Sequence, residues 1–418
     1  MKHYEVKVTK MTKVFEYFFK SNSLLDAMSP VICLGGFLGM TQFKFKISSV
    51  KSKTISSVPF SIIGFLLPSI YFYYSLVLLN LPEISYYRRL PQIFKYSENS
   101  QFFCGFFAVV TIHVVKYCNS EFLAKHFEIA EKLDDIFKDL GFERSYTYLK
   151  LKFFVASVME FIFCVLLFGL TFFAARWLQE NEGLPVFVAV LWPSYTISLI
   201  QFIGSSFVIT TQINLHTLNK TICMLRMDLS NPSVTESSIN IPYKQKTCVK
   251  LGLIWKSYAY ICKNNSNFND YFCFTLLSVI TLSFLNSLFN AFYVIFILSL
   301  EPKTLFPPVI VFEIYCLRII RCLVNSVNLF FIAVVCNICK NEVKKTARLI
   351  NDLMSFETDE NLHQMSIYML HNSPQFSAAG LFPINNTLLF TVKILASCVL
   401  ILILEFISSA VKRLSSYF

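Results

Sequence analysis

Apolar residues along this chain are gathered into long runs, and shorter polar and basic stretches separate them. A helix needs about 20 apolar residues to cross the hydrocarbon core of a bilayer. Runs of this kind occur at 58–80, 102–118, 153–177, 185–213, 272–299, 306–336 and 387–411. The pattern predicts an all-α membrane protein with seven transmembrane helices, which we number helix 1 to helix 7.

A further apolar stretch, Met28–Met40, is shorter than a span and contains Gly35, Gly36 and Gly39. Two lysines follow it within six residues. We interpret the stretch as an interfacial or re-entrant segment. If it crossed the membrane, the chain would have eight helices and its C-terminus would lie inside.

The positions of Lys and Arg indicate the orientation, because these residues collect in short cytoplasmic segments of membrane proteins. Nine lysines precede helix 1, seven Lys and Arg residues follow helix 4, and the stretches after helices 2 and 6 are also basic. The connections on the opposite side are short or poor in positive charge. The distribution predicts a cytoplasmic N-terminus and an extracellular C-terminus.

Two of the cytoplasmic connections, 122–142 and 342–354, repeat apolar residues at helical spacing, and the segment 246–264 does the same. We therefore expect long cytoplasmic helix extensions that pack into a cytoplasmic helical domain.

The composition agrees with lipid as the solvent, since 55% of the 418 residues are hydrophobic and 15% are charged. The net charge of +11 comes from short clusters between apolar runs, so it indicates topology and no nucleic-acid partner is predicted. No catalytic triad, paired catalytic carboxylates or phosphate-binding loop stands out in the sequence, and Cys336 and Cys339 lack the second pair of a zinc site. Neither an enzyme nor a cofactor is predicted.

Helix 6 carries a polar face, on which Arg318, Arg321, Asn325 and Asn328 fall within one narrow arc. An arginine at mid-bilayer costs roughly 2.5–3.5 kcal/mol on insertion scales, so both arginines must face a partner or a water-filled cavity. Two interpretations of Arg321 remain open: it lines a ligand pocket, or it pairs with Glu160 on helix 3.

Helix 4 carries a second polar stripe that includes Ser198 and Ser205, with Trp192 and Tyr195 nearer its outer end. Small polar residues also let membrane helices approach closely, so a packing role is the alternative to a binding role, above all for Ser205.

Before the last apolar run the chain reads FSAAGLFPINNTLLF, beginning at Phe376. This phrase resembles the FxAxGLFxxNxTLL phrase that precedes the last helix of insect gustatory receptors, which are ligand-gated cation channels. The matching residues are Phe376, Ala378, Gly380, Leu381, Phe382, Asn385, Thr387 and Leu388. Further along, the family carries Thr-Tyr and Gln-Phe in its last helix, and this chain has Cys398, Val399, Glu405 and Phe406 at those positions.

The resemblance implies a homo- or heterotetramer in the plasma membrane, on a sensory neuron dendrite, that passes cations when a small-molecule tastant binds. It implies one ligand pocket within each subunit, for which we select Arg318, Arg321, Asn325, Trp192, Tyr195 and Ser198. It also implies that helix 7 of each subunit lines a central pore, for which we select Cys398, Val399, Leu402, Glu405 and Phe406. The departures at Cys398, Val399 and Glu405 favour a bitter or other non-sugar tastant.

The chain divides accordingly into four parts. These are an N-terminal cytoplasmic segment with the short apolar stretch (1–57), helices 1 to 6 with the ligand pocket and helix extensions (58–336), a cytoplasmic helical connection (337–386), and the pore helix with a short extracellular tail (387–418).

Glu405 lies about 27 Å from the inner end of helix 7, near the outer mouth of the expected pore. Four copies would form a carboxylate ring, which attracts cations. The alternative is a carboxylate that faces lipid headgroups. Leu402 and Phe406 are candidates for a hydrophobic constriction that gates by dewetting.

Two other protein classes remain as alternatives, a G-protein-coupled receptor and a transporter. The first would need an extracellular N-terminus. It also usually has an outer-loop disulfide and a proline in helix 7, whereas the predicted outer loops contain no cysteine and helix 7 contains no proline.

We predict that a tag on the N-terminus is stained only in permeabilised cells and a tag on the C-terminus in intact cells, because the lysines mark the inner side. Staining of the N-terminal tag on intact cells, or glycosylation of the sequon at Asn264, would favour the G-protein-coupled receptor.

Overall fold

The computed structural model describes residues 19–21, 23–37, 39, 43–47, 52–56, 58–80, 92–119, 121–178, 183–230, 241–299, 308–355, 360–385, 387–388 and 390. Its helices are α1 (Leu24–Ala27), α2 (Ser29–Phe37), α3 (Val58–Asn80), α4 (Gln92–Cys118), α5 (Phe122–Asp139), α6 (Thr147–Leu178), α7 (Gly183–Ser230), α8 (Ile241–Ser299), α9 (Pro308–Met354) and α10 (Glu360–His371). Two antiparallel hairpins complete it, formed by β1 (Phe43–Ile47) with β2 (Ser52–Ser56) and by β3 (Ser377–Ala378) with β4 (Phe382–Pro383).

Six of these helices contain the first six predicted spans, and three of them run far beyond the membrane. Helices α7, α8 and α9 have 48, 59 and 47 residues. At 1.5 Å per residue they are about 70–90 Å long, more than twice the hydrocarbon thickness of about 30 Å. The predicted helical architecture with long extensions is confirmed, and the strands are short additions to it.

The apolar surface of the helices fits a membrane. Over the described residues, four helices are long and apolar enough to cross one, within α4, α7, α8 and α9, and α3 holds a shorter apolar stretch. Helix α6 exposes Met159, Phe161, Ile162, Val165 and Leu166. Large exposed apolar faces of this kind are rare on soluble monomers, whereas lipid covers them at no cost.

Helix α7 is the central element, since it packs against α3, α4, α6, α8 and α9. At the predicted cytoplasmic end, polar contacts join its extension to that of α9. Asn219 donates to the Glu342 carboxylate at 2.8 Å, and Arg226 pairs with Asp352 at 2.9 Å. The extensions therefore form one bundle.

The apolar stretch near the N-terminus lies inside the protein. Helix α2 packs against α3, α6 and α7, and Val31 and Ile32 are buried. Its nine residues rise only about 14 Å, too little to cross the membrane, so the eight-span alternative does not apply. Asp26, whose backbone N–H is capped by Ser23, holds the segment to α6 through an ion pair with Lys150 at 3.0 Å.

A lysine from α4 closes the contact between this segment and α3. Lys116 is buried, and its Nζ donates a hydrogen bond to the carbonyl oxygen of Gly39. Gly39 has a φ of +74°, and a Cβ added to Gly64 would lie 2.6 Å from the Lys116 Nζ. Both glycines are therefore needed for the close approach, and Lys116 compensates a backbone carbonyl inside the protein.

Another polar network fixes α5 against the rest of the bundle. Arg144 donates to Asn214 at 2.7 Å, to Tyr146 at 3.0 Å and to Asp134 at 3.3 Å, and it lies over the Phe137 ring. Burial raises the pKa of Asp134, although the hydrogen bond from Tyr146 and the Arg144 charge oppose the shift. A charged arginine with three oxygen partners explains how this polar cluster is tolerated below the surface.

Three glycosylation sequons, at Asn219, Asn264 and Asn385, lie on the predicted cytoplasmic side and are expected to stay unmodified. All three asparagines are buried, and the Asn219 side chain is bonded to Glu342. A glycan on any of them would disrupt this packing, so their burial agrees with the predicted orientation.

A buried histidine in α5 predicts acid sensitivity. His126 packs against Phe122, Phe127 and Phe207, and neither ring nitrogen has a hydrogen-bond partner among the residues that the structure describes. Burial lowers its pKa from an ordinary value of 6.5 to about 3, so the folded state holds the neutral ring. Its contribution to stability is complete above pH 6.5 and falls as the pH drops below that value.

We expect His126→Phe to reduce the loss of thermal stability between pH 7 and pH 5, because the unfolded chain no longer gains a proton at this position. Thermal unfolding of the purified protein at both pH values measures the difference. His363→Gln, at an exposed histidine of α10, is the matched control and should behave as the wild type. Equal acid sensitivity of the His126→Phe variant and the wild type would show that His126 is already protonated or solvated.

Candidate functional site

Three of the central helices meet at a chain of hydrogen bonds within the membrane region. The Ser198 hydroxyl of α7 donates to the Glu160 carboxylate of α6 at 2.7 Å. Asn328 of α9 donates through Nδ2 to the Ser198 oxygen at 3.1 Å. Ser198 is buried, so the predicted binding residue is a bridge between two helices.

The position of Asn328 bears on the suggested pair of Glu160 and Arg321. In α9 it is Asn328 that reaches the level of Ser198 and Glu160. Arg321 and Arg318 precede Asn328 on α9 by seven and ten residues. They therefore lie about 10 and 15 Å from it along the helix axis, towards the predicted outer side. Their backbone belongs to α9, and their side chains lie outside the described part of the chain.

The other predicted ligand residues lie close to this chain. Trp192 and Tyr195 precede Ser198 on α7, with their ring centroids 5.9 Å apart. Asn325 precedes Asn328 by one turn on α9 and is buried. Trp192, Tyr195, Ser198 and Asn325 therefore occupy neighbouring levels of two packed helices.

A group of buried polar side chains lies one to two turns nearer the cytoplasmic end. Within the described part of the chain, no hydrogen-bond partner reaches the side-chain oxygen of Ser157, either polar atom of the Gln201 side chain or the hydroxyl of Ser205. Because α6 and α7 are antiparallel and Glu160 contacts Ser198, Ser157 and Gln201 share one level. Helical spacing identified Gln201 and Ser205 as part of a stripe, but Ser157 carried no signal in the sequence.

The phrase that carries the family resemblance forms a tight hairpin in front of the last helix. Ala379 and Gly380 have φ values of +52° and +69°, and the Leu381 N–H bonds to the Ala378 carbonyl at 3.0 Å. Glycine adopts a positive φ without strain, which explains the glycine of the phrase. The Asn385 side chain accepts from the Thr387 N–H at 2.8 Å and so caps the helix that follows.

Helix α8 holds this hairpin through two asparagines. Asn265 and Asn269 both donate to the Gln375 carbonyl, at 2.8 and 2.7 Å, and the Ser377 N–H donates back to Asn269 at 3.2 Å. The Phe376 ring packs edge-on against Phe268 with centroids 5.2 Å apart. The start of the last helix is therefore fixed to α8.

Sequence reasoning missed this attachment, although Asn265 and Asn269 have the i, i+4 spacing of one helix face. Of the predicted pore residues, Cys398, Val399, Leu402, Glu405 and Phe406 all lie outside the described residues.

Glu160, Ser198 and Asn328 form the hydrogen-bonded group that we call the polar centre. Together with the fold, it defines an α-helical protein that spans the membrane several times. The chain belongs to the 7tm chemosensory receptor family, because the model of that family matches residues 29–407. It is 23% identical to the protein named gustatory receptor 28b of Drosophila melanogaster, over 95% of this chain and 88% of that protein. Gustatory receptor 28a of the same organism is also 23% identical, over 94% of both chains. The resemblance found in the sequence is confirmed.

Solved structures with a similar fold include the insect olfactory receptor OR5 from Machilis hrabei in complex with eugenol. The TM-score is 0.58 at 11% identity, covering 90% of this chain and 97% of that one. The same receptor without the stated ligand gives a TM-score of 0.53 over the same coverage. At this identity the likeness concerns the fold.

The turn in front of the last helix provides a prediction. We expect Gly380→Ala to destabilise the protein by about 1–2 kcal/mol, because alanine disfavours a left-handed backbone. No other atom lies within 4 Å of the added methyl group, so the cost is conformational. Gly252→Ala in α8 is the control, since it also has open space but a helical backbone, and it should be neutral or stabilising by up to about 1 kcal/mol. Thermal unfolding of the purified proteins measures both, and equal midpoints would argue against the assigned turn.

Proposed function

We propose that this protein is a tastant-gated, non-selective cation channel formed by four subunits. The observation that carries the proposal is a series of ring contacts from α7 through α8 to the hairpin in front of the last helix. The Phe207 ring of α7 packs against Phe272 of α8 with centroids 6.0 Å apart, Phe272 stacks on Phe268 at 4.5 Å, and Phe268 packs on Phe376 at 5.2 Å. Phe207 is nine residues, about 14 Å, from Ser198 along α7.

Such a path suits a ligand-gated channel, because packed aromatic rings move as a unit when one of the helices shifts. A ligand between α6, α7 and α9 would alter the packing of α7 on α8. The attached hairpin would then carry the change to the helix assigned to the pore. Membership of the chemosensory receptor family supports the receptor part of the proposal.

For the ligand pocket we propose the level of Trp192, Tyr195, Ser198 and Asn325, with Arg318 and Arg321 towards the outside. The occupant is a small organic molecule, and we favour a bitter or other non-sugar tastant. The related fold of OR5 was solved in complex with eugenol, a molecule that fits this size class.

For the pore we propose the seventh helix of each subunit, with Cys398, Val399, Leu402, Glu405 and Phe406 facing the axis. The subunits are identical or include other members of the family. The protein then acts in the plasma membrane of a sensory neuron dendrite, where an inward cation current would depolarise the cell.

Heterologous expression of the full chain tests the channel, with alkaloids, glycosides, sugars and amino acids applied while currents are recorded. Ligand-evoked unitary currents that persist in excised patches are expected. Currents that need G-protein signalling and vanish in excised patches would indicate a G-protein-coupled receptor. Saturable substrate uptake without unitary openings would indicate a transporter.

We predict that Glu405→Gln changes permeation and leaves ligand sensitivity nearly unchanged. The variant removes up to four negative charges from the pore mouth, so the preference for divalent over monovalent cations should fall. Reversal potentials in mixed calcium and sodium solutions measure this preference.

Arg318→Gln serves as the contrasting variant, because it lies on α9 within the proposed pocket. It should shift the half-maximal ligand concentration and leave reversal potentials as they were, at matched surface expression. Unchanged reversal potentials in Glu405→Gln would mean that this carboxylate faces lipid or protein, and the proposed pore face of helix 7 would then be wrong.

A further inference from the structure

We infer that Glu160 is a binding site for the positively charged amine of an organic ligand. The inference deepens the proposed function and rests on it only for the consequence of binding. It names the ligand class as organic ammonium compounds and names the carboxylate that recognises them.

The contacts of Glu160 leave its charge without a cationic partner. One carboxylate oxygen accepts from the Ser198 hydroxyl at 2.7 Å and from the Cys164 thiol at 3.8 Å. Among the described residues no cationic side chain forms an ion pair with it, and the ion pairs found there lie at the predicted cytoplasmic end. Within the described part of the chain, neutral donors orient the carboxylate and no cation compensates its charge.

The depth of Glu160 makes this arrangement costly. The predicted span on α6 begins at residue 153, so Glu160 lies seven residues, about 10 Å, inside its cytoplasmic end. That distance is about a third of the hydrocarbon core. An ionisable side chain at this depth costs several kcal/mol, and such residues face a partner or mark a functional site.

Aromatic residues stand next to the carboxylate. Tyr195 is one turn from Ser198 on α7. Trp192 packs against Tyr195 with ring centroids 5.9 Å apart, and its buried Nε1 has no hydrogen-bond partner among the described residues. Tryptophan and tyrosine faces attract organic cations, and a carboxylate beside them favours an ammonium group over a neutral isostere.

Two other cations could bind the Glu160 carboxylate, and the experiment below distinguishes them from an organic ammonium group. Arg321 would have to extend about 10 Å along α9 to reach the level that Asn328 and Glu160 share. A sodium ion could bind the carboxylate with the oxygens of Ser198 and Asn328. An ammonium ligand uses both the carboxylate and the aromatic pair, which the other two do not need.

The experiment compares each cation with an uncharged compound of the same shape, using the full-length protein purified in detergent. The pairs are choline with dimethylbutanol and benzyltrimethylammonium with neopentylbenzene. Ligand-induced thermal stabilisation gives the apparent affinity, and currents from expressing cells give the response. In the wild type we expect each cation to bind about tenfold or more tightly than its isostere.

Three variants assign the preference to this site. Glu160→Gln keeps the shape of the side chain and the hydrogen bond from Ser198. It should reduce the ratio of the cation affinity to the isostere affinity to about threefold or less. Glu160→Asp keeps the charge and should retain most of the preference. Glu128→Gln, at an exposed carboxylate of α5 that pairs with Lys132, is the matched control and should equal the wild type.

Several results would overturn the inference. A wild type that shows no cation preference in either pair contradicts it whether or not the variants fold. A preference that survives in Glu160→Gln places the ammonium elsewhere. Stabilisation that requires sodium, tested against N-methylglucamine, without preference among the organic pairs assigns the carboxylate to an inorganic cation.

An Arg321→Gln variant tests whether Arg321 is the cation that pairs with Glu160. If Arg321 pairs with Glu160, its removal should create a cation preference that the wild type lacks. Cation-selective binding without any ligand-evoked current would contradict the proposed channel and leave the binding site standing.

Discussion

Lipid offers no hydrogen-bond partner, and the architecture of this protein follows from that constraint. In the described helices the backbone groups bond within each long helix, and polar side chains bond one another across helix contacts. The Ser198 hydroxyl finds partners on two neighbouring helices, because it donates a hydrogen bond to Glu160 and accepts one from Asn328. Lys116 likewise compensates the carbonyl of Gly39. The hydrogen bonds between helices therefore fix which helix faces meet.

Some buried polar side chains lack such a partner among the described residues, and we favour a functional explanation for them. Gln201 and Ser157 are buried one turn nearer the cytoplasmic end than the hydrogen-bond chain and have no partner among the described residues, which also supply only neutral donors to Glu160. Unpaired polar groups in a nonpolar region cost roughly 1–3 kcal/mol each. A folded chain keeps such a cost when a bound molecule recovers it, and these residues surround the level at which ligand binding is proposed.

The long helix α8 connects the region of the proposed ligand site to the hairpin in front of the last helix. Helix α8 contacts α7 through Phe272, and about one turn further along it binds the hairpin through Phe268, Asn265 and Asn269. The same helix thus touches the proposed sensor and the entry to the last span. Because α8 is continuous through both contacts, a small change in its packing reaches the hairpin without an intervening flexible loop.

Much of this fold could be predicted from the amino-acid order, because lipid imposes a one-dimensional rule on span length and hydropathy. The apolar runs gave the helices, and the spacing at 122–142 and 342–354 gave their extensions. The phrase from Phe376 gave the family. These features depend on neighbours along the chain and need no knowledge of packing.

The tertiary structure alone decided which polar residues meet. Glu160, Ser198 and Asn328 are separated by 38 and 130 positions, and nothing local distinguishes Asn328 from Arg321 as the residue that reaches Ser198. Likewise, Asn385 appeared as a glycosylation sequon and proved to be a helix cap. Partner choice in a helical bundle depends on rotation and axial offset between helices, and hydropathy along one chain contains neither quantity.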